Sequence, residues 1–106
     1  MSLPFETTPM LKEYLEYQIS MEKKYGYNTV VFMEVGSFYE VYEIELDYNI
    51  GKTKKISSIL NLQITKKSKK LPHSLKNPFM VGFPNQSLDK FVSRLIDNNY
   101  TIITVI

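Results

Sequence analysis

Phe38 and Glu40 stand two residues apart in the run Gly36-Ser37-Phe38-Tyr39-Glu40-Val41-Tyr42, just after the apolar stretch Thr29-Val30-Val31-Phe32-Met33. Side chains alternate along a strand, so residues i and i+2 leave the same face. On a strand, Phe38 and Glu40 therefore point outward together, and Tyr39 turns to the opposite side. A flat apolar ring beside a hydrogen-bonding acid suits contact with a nucleobase. The ring stacks or wedges, and the acid reads a polar edge. The same spacing also fits an aromatic strand packed in a core, with Glu40 at its solvated rim, because aromatic residues are common in strands.

The second group that could do chemistry is cationic. Lys66, Lys67, Lys69 and Lys70 fall in a polar, Pro-containing stretch that reads as a loop. Such a loop gives affinity for phosphates without sequence information, or it is simply solubilising. These lysines belong to a larger asymmetry. Up to Tyr48 the chain has nine acids and three lysines; from Asn49 onward it has nine lysines and Arg94 against two aspartates. A split of this kind suggests an anionic partner for one face, or two halves that attract each other; a solvated surface of mixed sign fits as well. Lys52, Lys54 and Lys55 are candidates for pairing with the acidic half.

Other chemistries find little support. The chain has no Cys and a single His, which removes thiolate zinc sites, disulfides and multi-histidine metal sites. His73 lies in the polar loop and reads as exposed. Gly51-Lys52-Thr53 resembles the end of a phosphate-binding loop, but Leu46 stands where the earlier Gly should be. Glu22-x-Lys24 resembles half of a metal-dependent nuclease site without a second carboxylate placed to share a metal. No apolar stretch approaches a membrane span, and the N-terminus lacks the features of a signal peptide. The expectation is an intracellular, soluble protein with no membrane partner.

At 106 residues the chain is the size of one domain with a real core. Thr8-Pro9 opens a first helix, with Met10, Leu11, Tyr14, Leu15 and Ile19 at helical spacing. Val30 to Val35 and Phe38 to Ile44 read as two strands of a hairpin around Gly36-Ser37. Glu45 to Gly51 reads as a loop or one helical turn, Lys54 to Leu60 as a short helix, and Leu62 to Thr65 as a strand. Phe79 to Phe83 is a strand stopped by Pro84. Ser87 caps a helix in which Leu88, Phe91, Val92, Leu95 and Ile96 share one face, and Tyr100 to Ile106 is a last strand. The order α-β-β-α-β-β-α-β predicts an α/β (α+β) fold, a mixed sheet flanked by helices. The chain stops within an apolar strand, so residues 1–106 read as a single domain excised from a longer polypeptide. Met1-Ser2-Leu3 carries no argument.

Several segments then fall into one pattern. Thr8-Pro9-Met10 with Tyr14, Phe32 to Glu40, Ile64-Thr65-Lys66-Lys67, and Met80-Val81-Gly82-Phe83-Pro84 follow one another in register, with the last helix and strand behind them. Together they resemble the N-terminal mismatch-recognition domain of the MutS family of DNA mismatch-repair proteins, over nearly the whole chain from Thr8. The resemblance implies that Phe38 stacks on a mispaired base from the minor groove and that Glu40 hydrogen-bonds to it. The partner it implies is double-stranded DNA with mispairs or small loops. A mispaired step is cheaper to unstack and bend, so such a wedge selects deformability more than sequence. The resemblance implies no cofactor in this domain; ATP and Mg belong to an ATPase domain elsewhere in the full-length protein, which binds as a clamp-like dimer through other domains. The chain departs from the family pattern at Ser37, where Asp is common, and at Asn85-Gln86-Ser87, and Glu43 to Lys55 is longer than in many bacterial members. The alternatives are an interaction domain that no longer reads mismatches, and a nuclease-like subunit.

Overall fold

The computed structural model describes residues 3–106; Met1 and Ser2 lie outside the described residues, and Leu3 packs against the core. The first helix, α1 (Pro9–Tyr25), starts where the sequence says it should. The Leu11 N–H donates to Thr8 Oγ1 at 3.4 Å, and Pro9 occupies the first turn, where a missing N–H costs nothing. Strands β1 (Thr29–Val35) and β2 (Phe38–Glu45) form the hairpin. Val35 pairs with Phe38 across a two-residue turn, and Gly36 supplies the φ of 60° that this turn requires.

A short strand, β3 (Asn49–Gly51), follows, then α2 (Thr53–Leu60), β4 (Thr65–Lys66), β5 (Phe79–Pro84), a 3-10 turn (Asn85–Ser87), α3 (Leu88–Asp97) and β6 (Thr101–Val105). The sheet runs β4-β5-β2-β1-β6, with β3 also paired to β2. β1 and β6 are parallel and the other pairings antiparallel, so the sheet is mixed, as expected. The element order is the expected one with β3 added.

The helices divide between the two faces. Tyr14 of α1 meets Tyr42 of β2 edge-on, with ring centroids 5.0 Å apart. On the other face, Phe83 of β5 packs against Phe32 of β1 at 5.3 Å and Phe91 of α3 at 4.8 Å. Burying large rings on both faces, among aliphatic side chains such as Leu15, Val31, Ile44 and Leu95, takes apolar surface out of water on both sides of the sheet.

The last β1–β2 pair is Met33 with Glu40; beyond it β2 departs, and the edge of β1 opposite β6 has no strand partner there. Side chains of α1 fill the gap. The Gln18 amide donates to Thr29 O at 2.7 Å and accepts from the Val31 N–H at 2.9 Å, much as a peptide group of a parallel strand would. The Tyr14 hydroxyl donates to Val31 O at 2.8 Å.

Five expectations need correction. Glu45 to Gly51 is not a loop or helical turn throughout: Ile50 pairs with Ile44, so non-local pairing makes Asn49–Gly51 a strand. At its end Gly51 has φ 106°, and a Cβ there would lie 2.2 Å from Tyr42 O, so no other residue fits. The strand expected over Leu62 to Thr65 shrinks to Thr65–Lys66, because Leu62 tucks against the core and closes α2, its N–H donating to Ser57 O at 3.1 Å. Ser87 makes no side-chain cap, since the 3-10 turn already satisfies that end of the helix. Ile96, on the edge of the apolar stripe of α3, is 57% exposed. His73 is half-buried, stacked on Phe79 with centroids 4.0 Å apart.

Candidate nucleic-acid interface

The hairpin turn delivers Phe38 to the surface. β2 begins at Phe38 itself, and the residue is 45% exposed. Its neighbour Tyr39 is 5% exposed and packs between Phe32 and Phe83 on the opposite face. The alternation expected from the sequence is therefore realised, and Tyr39 anchors the strand from which Phe38 projects. A second tie holds the turn. The Asn85 N–H donates to Ser37 O at 2.8 Å, and the Asn85 amide reaches Glu34 Oε2 at 3.5 Å. The hairpin turn and the start of the 3-10 turn are thus joined through Ser37 and Asn85.

Glu40 leaves the same face as Phe38, but it is not a free acid. Its side chain is 13% exposed, and its Oε1 accepts from the Lys67 ammonium at 3.0 Å and from the Tyr42 hydroxyl. Lys67 Nζ also lies 3.2 Å from the Tyr42 oxygen. Burial, and then the bond to Glu40, push the Tyr42 hydroxyl far above its ordinary range, so it remains a proton donor at neutral pH. Across the ladder from Glu40 stands Gly82, which puts no side chain beside the carboxylate.

The structure does not gather the four loop lysines. Lys66 is in register with Phe79 and Glu43, whose side chains leave the face opposite to Glu40. Lys66 and Lys69 line an open depression with Ile64, Thr65, His73 and Phe79. Lys70 is exposed on the loop. Of the four, Lys67 is the one that contacts Glu40. The loop is well tied: the Asn77 amide donates to Ser68 O, Leu71 O and Pro72 O at 2.9–3.1 Å and accepts from the Ser68 N–H at 2.7 Å. His73 accepts from the Glu45 N–H at 3.0 Å through Nε2, while Nδ1 lies 2.9 Å from Asn77 O.

Tyr42 and Asn77 are the residues that sequence reasoning missed. Tyr42 had a signal, since it continues the i, i+2 series of Phe38 and Glu40. Asn77 had none, because its partners become neighbours only when the loop closes.

The opposed charges of the two halves meet. Lys52 pairs with Glu22 at 3.0 Å, Lys54 with Glu45, and Lys67 with Glu40, and each pair joins the acidic half to the basic one. Lys52 is buried in its pair and lies 3.8 Å from the centre of the Tyr27 ring. Lys55 is bonded to the Tyr27 hydroxyl at 3.0 Å, and this bond and Lys52 lower the phenol's pKa. The Gly51-Lys52-Thr53 segment therefore does not fit a nucleotide's phosphates: its lysine is committed and its glycine abuts Tyr42 O. Among the described residues, no group of three or more His, Cys, Asp or Glu side chains could hold a metal ion, and no helix is long and apolar enough to cross a membrane.

The chain is similar in sequence to known proteins over most of its length. A DNA mismatch repair protein MutS from Lactobacillus delbrueckii subsp. bulgaricus is 35% identical over 97 residues, covering 91% of this chain and 10% of its own length. That of Dehalococcoides mccartyi is 33% identical over 96 residues, covering 91% and 9%. That of Leptospira interrogans is 32% identical over 90 residues, covering 85% and 8%. The chain thus spans about 10% of the length of the curated relatives it matches. The family model of MutS domain I matches residues 8–105, and the chain belongs to that family.

Proposed function

We propose that this chain is the mismatch-reading module of a MutS-like DNA mismatch-repair protein. Phe38 enters the minor groove at a mispair or small loop and stacks on the unpaired base, and Glu40 hydrogen-bonds to the same base. One observation carries the reading: a large ring stands half-exposed at a hairpin tip, with a carboxylate two residues on and on the same face. Exposing a Phe costs burial energy, which a base-stacking role offsets. Lys67 is the lysine best placed to approach phosphates flanking that base, with Lys66, Lys69 and Lys70 adding affinity without base information.

On this reading residues 1–106 form one domain of a longer protein. The ATPase, with its ATP and Mg, and the dimer contacts that complete a clamp lie in other parts of that protein; the domain alone is not an enzyme. Phe38→Ala in the full-length protein then removes mismatch preference and leaves weak general DNA binding, with about 1–3 kcal/mol lost from stacking. Equal mismatch preference in wild type and variant overturns the wedge. A second reading, an interaction domain that no longer reads mismatches, is favoured by one fact: Glu40 is occupied by Lys67. The same titration separates the two.

A further inference from the structure

Two donors converge on one oxygen of Glu40. Tyr42 and Lys67 both bond Oε1, and among the described residues nothing bonds Oε2. The two donors also touch each other at 3.2 Å, which closes a three-membered ring. Tyr42 is buried and fixed edge-on against Tyr14, so its hydroxyl has a set position. Lys67 is anchored where β4 ends, by the bond from its N–H to Pro78 O at 3.0 Å. A flexible acid at a surface ordinarily samples many rotamers; one held by a rigid phenol and a charge-assisted bond does not.

Resting on the mismatch-reading role above, we infer that Tyr42 and Lys67 are positioning residues for Glu40: they clamp Oε1, turn Oε2 toward the groove face as the acceptor for a base N–H, and offset the carboxylate's charge near phosphates. Neither touches the base itself. The clamp is what lets an acid work in a groove lined by anions. Without it the carboxylate is repelled by the duplex and finds its contact only in a fraction of conformers.

The test is a pair of titrations, on matched and mispaired duplexes, with the full-length protein. Tyr42→Phe removes one oxygen and keeps the ring packing, so its melting temperature stays within a few degrees of wild type. Its mismatch-over-match ratio falls on the order of fivefold, and it causes no further fall in a Glu40→Ala background. Lys67→Met, which keeps the apolar stem, lowers the same ratio and serves if the buried substitution perturbs folding. A merely structural tyrosine would weaken both duplexes in proportion and leave the ratio alone. An unchanged ratio in Tyr42→Phe and Lys67→Met, or the same fall in the Glu40→Ala background, overturns the clamp. If Phe38→Ala and Glu40→Ala still change the ratio in that case, the wedge reading stands without it; a ratio that answers to none of the four overturns both.

Discussion

Lys67 Nζ sits 3.0 Å from Glu40 Oε1, so the carboxylate proposed to read the base and the lysine proposed to approach phosphates form an ion pair with each other in the unbound domain. Removing Glu40 then has two consequences of the same sign for ordinary duplex. It deletes a negative charge near phosphates, and it frees a cation.

Glu40→Ala is therefore expected to bind matched duplex at least as well as wild type, with a smaller mismatch preference. The freed Lys67 steepens the salt dependence by up to about 0.9 in the slope of log K against log salt. Titrations of matched and mispaired duplexes at several salt concentrations check this. A large, equal loss on both duplexes would make Glu40 a structural residue instead.

Lys66 and Lys69 line a depression with His73 and Phe79, apart from Glu40. Neutralising Lys66, Lys69 and Lys70 together, with Lys67 kept, is expected to flatten the salt slope of the full-length protein and leave the order of preferred mispairs as it was. Phosphates carry no base identity. An unchanged slope would show that these lysines face away from DNA.

Phe38 and Tyr39 are adjacent aromatics with opposite burial, 45% and 5% exposed. Tyr39→Ala empties a site between Phe32 and Phe83 and is expected to cost about 3–5 kcal/mol of folding stability. Phe38→Ala is expected to cost less than about 1 kcal/mol, because the ring already meets solvent. Urea denaturation of both variants decides it. A Phe38 variant as unstable as the Tyr39 variant would return Phe38 to the core.

Gln18 is fully buried, and its amide serves both Thr29 O and the Val31 N–H. Gln18→Ala leaves both backbone groups without partners and is expected to cost roughly 1–3 kcal/mol for each. Hydrogen exchange at the Val31 amide should accelerate by more than the global loss of stability explains. Unaltered protection of that amide would mean that another group replaces the glutamine.

Much of this fold could be read locally. Thr8-Pro9 and the spacing of Leu11, Tyr14 and Leu15 define α1 because capping and periodicity act within a few residues. Gly36-Ser37 between two β-branched and aromatic runs defines the hairpin, and alternation alone separates Phe38 from Tyr39. Family membership was also legible, since those motifs occur in order along the chain and the MutS domain I model matches residues 8–105.

Partnership was not legible. Asn49–Gly51 is a strand only because β2 runs past β1 and offers Glu43 to Glu45 as an edge. Lys66 and Lys67 look equivalent in the chain, yet the register of β4 with β5 sends one toward Phe79 and the other to Glu40. His73 sits in a polar stretch but is held by the Glu45 N–H and the Phe79 ring. The sequence by itself determined which residues alternate, which recur with a helical period and which halves carry opposite charge, because those properties depend on near neighbours. Only the tertiary structure decided that Glu40 is bonded by Tyr42 and Lys67 and that, of the four loop lysines, Lys67 is the one that reaches it. Such contacts follow from strand register between segments far apart in the chain, and burial of the whole core selects that register.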